Sequence, residues 1–254
     1  MIKVIQPHIF SDIDRVDCFF TEANREMNEP VGGYGNIKGL NLGLNSEENE
    51  SIVQKNYDLL FDETGWNQNQ LIIARQVHSN NIKSVQEPGI VEGVDGLVTD
   101  REDLLLGIQV ADCAAILIAD PNPVHPVIGA FHAGWRGAVA GIVGEGLNEM
   151  INLGGNPAQC KAFISPCISV DNFEVGEEVA SKFPSEYCDY NHFDKPHLNL
   201  KAFLRDQLLE CGVKEPHIET SPFCTIDDDR FYSYRRERDQ SGRMLGVIRI
   251  SPKK

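Results

Sequence analysis

The chain has 254 residues and a formal net charge of −15, because 23 Lys and Arg residues face 38 Asp and Glu residues. Its 41% hydrophobic and 24% charged residues are typical of a globular protein and exclude collagen-like, low-complexity and wholly disordered chains. The acidic balance argues against nucleic-acid binding, and the sequence has neither a membrane-length apolar run nor a secretory signal, so we expect one cytoplasmic domain over residues 1–254.

The N-terminal part predicts a strand and a helix separated by a stretch rich in glycine and asparagine. The strand covers residues 16–20, and apolar residues at three- to four-residue spacing predict a helix over 48–64. The stretch between them, over 31–43, ends in Leu40-Asn41-Leu42-Gly43. Its composition favours tight turns and close approach of the backbone.

The middle of the chain contains apolar runs with a high content of β-branched residues, which predict strands buried on both faces. These runs cover residues 71–77, 104–110, 114–119 and 126–131. Strands of this kind need a covering layer on each side. They therefore predict a layered fold in which helices or a second sheet pack on the strands.

The second half of the chain predicts helices and a C-terminal hairpin. The predicted helices cover residues 137–153, 175–183 and 200–211. Gly154-Gly155 is a suitable C-terminal stop for the first of them. Residues 231–235 and 244–250 predict a hairpin, with Gln240-Ser241-Gly242 as its turn. The fold class is α/β, a layered sandwich with a mixed sheet.

Two histidines and a cysteine stand at the ends of predicted strands. His78 closes the strand over 71–77, Cys113 follows Asp112 between two apolar runs, and His132 follows Phe131. Neighbouring strands would bring the three side chains together at one rim of the sheet. Two imidazoles and a thiolate suit zinc, and three protein ligands leave the fourth tetrahedral position open. Taken alone, a histidine at a strand end is more often a hydrogen-bonded structural residue, and a lone cysteine more often belongs to the core.

The segment after His132 predicts an anion site. Gly134-Trp135-Arg136-Gly137 is a glycine-flanked turn that leads into the predicted helix over 137–153. Free N–H groups at a helix start, together with Arg136, suit a phosphate or carboxylate beside the metal. The alternative is a surface ion pair for Arg136 and simple packing of Trp135 on the helix.

A cluster of aromatic residues and arginines near the C terminus is a local exception to the acidic charge. It comprises Phe231, Tyr232, Tyr234, Arg235, Arg236, Arg238 and Arg243. Guanidinium groups beside aromatic faces suit a planar, anionic or ribose-bearing ligand. An edge hairpin that carries its charges outward is the structural alternative.

Several motifs together resemble the YfiH-type family of purine nucleoside phosphorylases, whose members are also described as polyphenol oxidases or laccase-domain proteins. The main motifs are Arg75-Gln76-Val77-His78, Ala111-Asp112-Cys113 and Phe131-His132-Ala133-Gly134-Trp135-Arg136-Gly137. Shorter matches follow the family's order, namely Leu40-Asn41-Leu42-Gly43, Phe173-Glu174-Val175-Gly176, Phe231-Tyr232-Ser233-Tyr234-Arg235-Arg236 and Gly242-Arg243. Departures such as Ser79 after His78 leave the metal ligands in place.

The resemblance implies an α/β sandwich related to cysteine-hydrolase-like proteins, with His78, Cys113 and His132 as metal ligands. It implies zinc as the cofactor, with copper as a less suitable alternative. The implied reactions are phosphorolysis of adenosine, inosine, guanosine and methylthioadenosine, and hydrolytic deamination of adenosine. Purine nucleosides and phosphate are then the partners. Candidate substrate or phosphate contacts are Asn41, Arg136 and Arg236, and Asp112 is a candidate acid or base.

Other functions remain open at this stage. Cys113 could act as a nucleophile with His132 or His78 as its base, which would favour hydrolysis of an amide. A copper-dependent polyphenol oxidase fits less well, because the seven histidines include no His-x-His pair. A protein that only binds its ligand is a further alternative.

Overall fold

A computed structural model describes residues 1–27 and 37–251, and it confirms the layered α/β fold. Two six-stranded mixed sheets pack face to face, and helices cover their outer faces. The first part of the glycine-rich stretch, over 31–36, lies outside the described residues. Within them, no helix combines the length and the apolar character needed to cross a bilayer.

The described residues form fourteen strands and six α-helices. The strands are β1 (Val4–Ile5), β2 (Val16–Thr21), β3 (Leu71–Arg75), β4 (Ile82–Ser84), β5 (Gly89–Glu92), β6 (Gly96–Thr99), β7 (Leu105–Val110), β8 (Ala114–Asp120), β9 (Val127–Ala133), β10 (Lys161–Ile164), β11 (Cys188–Asp189), β12 (His197–Leu198), β13 (Ile218–Thr220) and β14 (Met244–Ile250). The helices are α1 (Glu50–Thr64), α2 (Trp135–Val139), α3 (Ile142–Asn152), α4 (Glu177–Ala180), α5 (Leu200–Glu210) and α6 (Tyr234–Glu237).

The two large sheets combine parallel and antiparallel pairs. The first has the order β1-β2-β14-β7-β3-β5, in which β7, β3 and β5 are parallel neighbours. The second has the order β13-β10-β8-β9-β6-β4, in which β8 and β9 form a long antiparallel pair. Strands β11 and β12 form a separate small sheet. Because β7 and β8 belong to different sheets, the chain passes from one layer to the other at Cys113.

Both faces of the central strands are buried, as their apolar runs predict. In β8, Ile116 and Ile118 face the outer cluster that contains α3 and α5, whereas Leu117 faces the space between the sheets. In β14, Ile248 faces that inner space, whereas Val247 packs against α1. Successive side chains on a strand point to opposite faces, so one apolar run serves two core layers.

The predicted helix over 48–64 is confirmed as α1. It begins at Glu50, because the Asn49 side chain accepts a hydrogen bond from the Ser51 N–H and caps the first turn. It ends at Gly65, which adopts the left-handed conformation with φ 69°. Its apolar face, which includes Leu60 and Phe61, covers the outer side of the first sheet.

The prediction of one continuous helix over 137–153 is wrong. The segment forms α2 and α3, separated by Gly141, whose φ of 81° no continuing helix can adopt. Its predicted stop is confirmed: Gly154 has a φ of 92°, and the Gly155 N–H donates to the Met150 carbonyl. The helix predicted over 175–183 is reduced to the four residues of α4.

The predicted C-terminal hairpin is also wrong. Residues 244–250 do form β14, but its partners are β2 and β7. Residues 231–235 form no strand, because Ser233 accepts a hydrogen bond from the Arg236 N–H and starts α6 at Tyr234. Phe231 and Tyr232 are fully buried and pack into the core between the two sheets, although their segment forms no strand.

Candidate metal centre

The three predicted ligands meet at the junction between the two sheets. His78 lies in the loop after β3, which ends at Arg75 and not at residue 77. Cys113 lies between β7 of the first sheet and β8 of the second. His132 lies inside β9, opposite Ala115 of β8, and not beyond the strand end. The convergence is confirmed, but it joins two layers and is not built on the rim of one sheet.

Two residues of this junction have unusual backbone conformations. His78 has a φ of 62° and Asp112 has a φ of 81°, both in the left-handed region that non-glycine residues rarely adopt. The Asp112 carboxylate accepts hydrogen bonds from the Thr225 hydroxyl at 2.7 Å and the Arg235 N–H at 2.6 Å. Asp112 therefore ties the Cys113 loop to the C-terminal segment, which is a positioning role, and it also lines the cavity beside the metal centre, so its acid or base role stays a prediction.

The donor atoms of His78, Cys113 and His132 all lie within 4.8 Å of one another. The two imidazole rings are nearly perpendicular, at 85°, with 4.8 Å between their centroids. His132 is 3% exposed, whereas His78 is open to solvent, so the cluster has a buried side and an accessible side. Two nitrogens and one sulfur at this spacing suit a borderline-soft cation with one open position, so the residues fit the predicted metal site.

Asp95 completes this centre, although the sequence analysis did not identify it. Its carboxylate is fully buried and accepts hydrogen bonds from the His132 Nδ1 at 2.7 Å, the His78 N–H at 2.9 Å and the Ser79 N–H and hydroxyl at 2.6 and 2.7 Å. A carboxylate only accepts, so Nδ1 of His132 carries the proton and Nε2 is left to bind a metal. Gly93-Val94-Asp95-Gly96 resembles an ordinary turn, which explains why pattern reading overlooked it.

Without a metal, the surroundings of Cys113 and His132 favour the charged form of both side chains. Burial opposes ionisation of Cys113, but the charge of His132 and hydrogen bonds from both histidines outweigh burial and lower the pKa of the thiol to about 6. Burial likewise opposes protonation of His132, but the Cys113 thiolate and Asp95 raise the pKa of the imidazole to about 9. Near neutral pH the metal-free pair is therefore a thiolate beside an imidazolium.

Alkylation of the metal-free protein should reveal this thiolate. Because the thiolate reacts and the thiol does not, the rate for Cys113 with iodoacetamide should rise about tenfold between pH 5 and pH 7 and level off above. Cys211 is a matched internal control, since it is partly exposed and burial raises the pKa of its thiol. Peptide mass spectrometry would measure both rates. A Cys113 rate that rises only above pH 8, together with that of Cys211, would contradict the description.

Gly134 leaves room for the ligands. A Cβ atom at this position would lie 2.9 Å from the Cys113 Sγ and 3.3 Å from the His78 Cδ2. Its φ of −78° suits any residue, so the need for glycine here is spatial and not conformational. The glycine of the His-Ala-Gly-Trp-Arg motif therefore serves the metal centre directly.

We expect Gly134→Ala to weaken metal binding about tenfold or more, because the atom that must move is itself a ligand. Gly144→Ala is the matched control: it lies in helix α3, and its new Cβ would meet the Cys211 Sγ at an ordinary 3.9 Å. Competition with a chromogenic chelator would measure both affinities. Equal affinities for the two variants would show that the space at Gly134 is unimportant.

A cavity of about 680 Å³ opens directly above the metal centre. This volume lies within the usual range for small-molecule sites. The lining includes apolar and aromatic residues, here called the apolar wall: Trp135, Ile168, Phe173 and Leu200. It also includes polar residues, here called the polar wall: Gln76, Gln109 and Arg243. The cavity thus presents apolar side chains, polar side chains and the metal centre to one ligand.

The charge of the cavity contrasts with that of the chain. All twelve arginines lie in the described residues, and eight of them form ion pairs with Asp or Glu. The other four form no ion pair with any described residue, and all four line the cavity: Arg136, Arg235, Arg238 and Arg243. The lining also contains three carboxylates, those of Glu47, Asp112 and Asp239, so the four guanidinium groups exceed them by one charge (4 − 3). In a chain with a net charge of −15, this local excess of positive charge indicates a site for an anion.

The structure separates the predicted contacts into two groups. Arg136 lines the cavity, where its guanidinium lies 4.3 Å from the centroid of the Trp135 ring. The helix expected to begin at Gly137 begins at Trp135 and has five residues, so we assign the predicted anion site to the side chain and not to the helix end. The aromatic and arginine cluster reaches the cavity through Tyr234, Arg235, Arg238 and Arg243.

Asn41 and Arg236 are not among the residues that line the cavity, and their contacts to a substrate or phosphate stay a prediction. The Asn41 side chain is buried, and its Oδ1 accepts hydrogen bonds from the N–H groups of Gly43 and Arg243. Arg236 donates to the carbonyls of Thr225, Ile226 and Phe231 and pairs with Glu237. Both residues position the chain segments that carry Arg235 and Arg243, because their polar groups are already used within the protein.

Comparisons with known proteins agree with these motifs. The family model described as multi-copper polyphenol oxidoreductase laccase matches residues 19–251. A purine nucleoside phosphorylase of Deinococcus radiodurans is 36% identical over 217 residues, which are 84% of this chain and 83% of that protein. The adenosine deaminase RL5 from an unknown prokaryotic organism is 31% identical, over 98% of this chain and all of that protein.

A solved structure is similar over nearly the whole chain. The crystal structure of YlmD from Geobacillus stearothermophilus superposes with a TM-score of 0.84 and 28% identity, covering 94% of this chain and 93% of that one. The range matched by the family model, residues 19–251, contains all three residues of the metal centre. The chain therefore belongs to the multi-copper polyphenol oxidoreductase laccase family, the YfiH-type family of the sequence analysis, whose relatives named above are enzymes.

Proposed function

We propose that the protein is a zinc-dependent purine nucleoside phosphorylase that acts in the cytoplasm and also deaminates adenosine. The observation that carries the proposal is the gathering of four unpaired arginines in the cavity above the His78–Cys113–His132 centre. Phosphorolysis needs both a bound phosphate and a bound nucleoside, and the cavity offers a cationic part and an apolar part. The names of the two relatives support the same substrates.

The donor set favours zinc. Two imidazoles and a thiolate are common zinc ligands, and Asp95 orients His132 as carboxylates orient zinc-bound histidines in other proteins. When bound, zinc supplies a Lewis acid with one position open to a substrate oxygen or water. His78, Cys113 and His132 would hold it, and His78 is the accessible member of the three.

Different side chains of the cavity bind the two substrates of phosphorolysis. Arg136, Arg235 and Arg243 bind phosphate and hold one of its oxygens toward C1′ of the ribose. The apolar wall with Trp135 and Phe173 receives the purine ring. Attack by an oxygen of hydrogen phosphate forms the new bond at C1′, and the bond from C1′ to N9 breaks with its electron pair on the purine. The purine leaves as the neutral base after taking up the proton that the phosphate gives up.

Deamination uses the same cavity with water in place of phosphate. Water attacks C6 of adenosine, ammonia leaves, and inosine is formed. The base must then approach the metal centre with C6, whereas phosphorolysis requires C1′ to face the bound phosphate. The two reactions therefore correspond to two orientations of the nucleoside between the apolar wall and the polar wall.

Incubation of the protein with adenosine, with and without phosphate, tests the proposal. We expect adenine and ribose 1-phosphate when phosphate is present, and inosine when it is absent. Liquid chromatography with mass spectrometry would identify the products. If neither product forms with zinc-loaded protein, the proposal is wrong.

An arginine substitution tests the anion site separately. Arg243→Met should raise the KM for phosphate about tenfold or more and change the KM for the nucleoside much less, because it removes a charged contact to the phosphate. Arg101→Met is the matched control, since Arg101 is exposed and paired with Asp103. Parallel changes in both KM values for Arg243→Met would place the phosphate elsewhere.

One observation favours a second function. Cys113, His132 and Asp95 are arranged as a nucleophile, a base and an orienting carboxylate, and the pKa of the Cys113 thiol is lowered to about 6 by its surroundings, with burial opposing. A metal-free amide hydrolase would use this arrangement. Chelation separates the two functions, because it should abolish phosphorolysis and leave a thiol hydrolase active.

A copper-dependent oxidase is less well supported. Oxidases of the multicopper type need several metal sites, whereas residues 1–27 and 37–251 contain one cluster of His, Cys, Asp or Glu that could hold a metal. The family description therefore does not by itself assign oxidase chemistry to this chain.

A further inference from the structure

Gln109 of the polar wall has a side chain whose orientation is fixed by the protein. Gln109 is 6% exposed, and its Nε2 donates to the Leu42 carbonyl and, at 2.9 Å, to the Tyr57 hydroxyl. The Tyr57 hydroxyl in turn donates to the same Leu42 carbonyl at 2.8 Å. Because this carbonyl can only accept, the amide nitrogen must face it, and a flipped amide would place oxygen against oxygen.

The Oε1 of Gln109 has no such partner. This oxygen forms no hydrogen bond with any described residue. It is not one of the fully buried polar atoms that lack a partner, so it is accessible to solvent. Gln109 lines the cavity above the metal centre. Because Nε2 is bound on the protein side, Oε1 is the atom of this amide without a partner, and an amide oxygen only accepts hydrogen bonds.

Gln76 holds the backbone of Gln109 in the same way. The Gln76 Nε2 donates to the Gln109 carbonyl at 2.7 Å, and the Gln76 Oε1 accepts from the Gln109 N–H at 2.9 Å. Main chain and side chain of Gln109 are therefore both fixed before a ligand arrives. Such a preorganised acceptor loses little entropy on binding and cannot rotate to suit a ligand without a donor.

We propose that Gln109 is a specificity-determining residue whose Oε1 accepts a hydrogen bond from an N–H or O–H group of the bound nucleoside. The inference rests on the proposed function, since it names a contact in that same cavity. A purine nucleoside carries such donors on its ribose hydroxyls and on its base. An analogue that lacks the donor leaves a fixed acceptor without a partner, which the protein cannot relieve by rotating the amide.

The test compares analogues and variants by titration calorimetry with zinc-loaded protein and inosine in phosphate-free buffer, where neither proposed reaction consumes the ligand. The analogues are 2′-deoxyinosine, 3′-deoxyinosine and 1-methylinosine, which remove ribose or base donors one at a time. Wild-type protein should bind one of them about tenfold more weakly than inosine. That analogue identifies whether the ribose or the base meets Gln109.

In Gln109→Met, this tenfold difference should disappear, because the acceptor is gone and the shape is nearly kept. Tyr57→Phe is the second variant: it keeps the acceptor but removes one partner of Nε2, so the difference should shrink and not vanish. If every analogue lost the same affinity relative to inosine in wild type and in both variants, Gln109 would have no role in specificity, even though inosine still bound. Absence of inosine binding to wild-type protein would overturn the proposed function as well.

Discussion

Cys113→Ser is expected to reduce bound zinc from about one equivalent per chain to a small fraction and to reduce phosphorolysis at least about a hundredfold. The thiolate is the one soft and anionic ligand of the centre, and a serine hydroxyl does not ionise near neutral pH. The donor atoms of His78 and His132 remain close together, but two neutral imidazoles hold zinc weakly. Mass spectrometry of metals and a product assay would measure the two effects on the same preparation.

Cys211→Ser is the matched control for this prediction. Cys211 is partly exposed and lies outside the cavity, so its replacement should leave zinc and activity unchanged. Full retention of zinc by Cys113→Ser would contradict the metal centre. If phosphorolysis were lost while zinc stayed bound, Cys113 would act in the reaction itself and not as a metal ligand.

Asp95→Asn should lower the free energy of unfolding by about 2–4 kcal/mol and weaken zinc binding about ten- to a hundredfold. The buried carboxylate receives the N–H groups of His78 and Ser79 and the Nδ1–H of His132. An asparagine has one acceptor oxygen and turns an NH₂ group toward these donors. Urea unfolding and competition with a chelator would measure the two losses.

The pH dependence of the Asp95 contribution has a definite sign. Burial opposes ionisation, but hydrogen bonds from His132 and Ser79 outweigh it and lower the pKa of Asp95 to about 2, below its ordinary value of 3.8. A lowered pKa stabilises the folded protein above about pH 4, and this stabilisation, about 2 kcal/mol, is lost as the pH falls toward 2. The difference between wild type and Asp95→Asn should therefore narrow over that interval.

Asp103→Asn provides the control for both measurements, because Asp103 is an exposed partner of Arg101 and exposed pairs contribute little. A constant difference between wild type and Asp95→Asn from pH 7 to pH 2 would show that the charge of Asp95 is not responsible. An unchanged zinc affinity would show that Asp95 does not orient His132.

The sequence predicts the parts of this fold that depend on burial. The runs at 104–110 and 114–119 are apolar on both faces, and both are strands between two core layers. The predicted hairpin at 231–235 fails because aromatic residues are typical of strands, whereas Phe231 and Tyr232 fill the core from an irregular segment. The conformation of residues 231–235 depends on tertiary packing, which the local sequence pattern does not reveal.

His78, Cys113 and His132 could be predicted as metal ligands because they are rare residue types near strand ends and belong to motifs that resemble those of the YfiH-type family. Asp95 and Gln109 were not found, since their roles depend on which groups surround them after folding. Asp95 lies in an ordinary turn sequence. Gln109 lies within an apolar strand, where a single polar residue does not indicate what its side chain contacts. The unpaired state of the four cavity arginines is likewise a property of the folded chain alone.

X-ray absorption at the zinc edge of the purified, zinc-loaded protein is the sharpest test of the His78–Cys113–His132 centre. We expect one sulfur ligand at about 2.3 Å and nitrogen or oxygen ligands at about 2.0 Å, two of them with the multiple scattering of imidazole. The sulfur contribution should be absent in Cys113→Ser. A wild-type spectrum without sulfur, or with several sulfur ligands, would contradict a centre built from His78, Cys113 and His132.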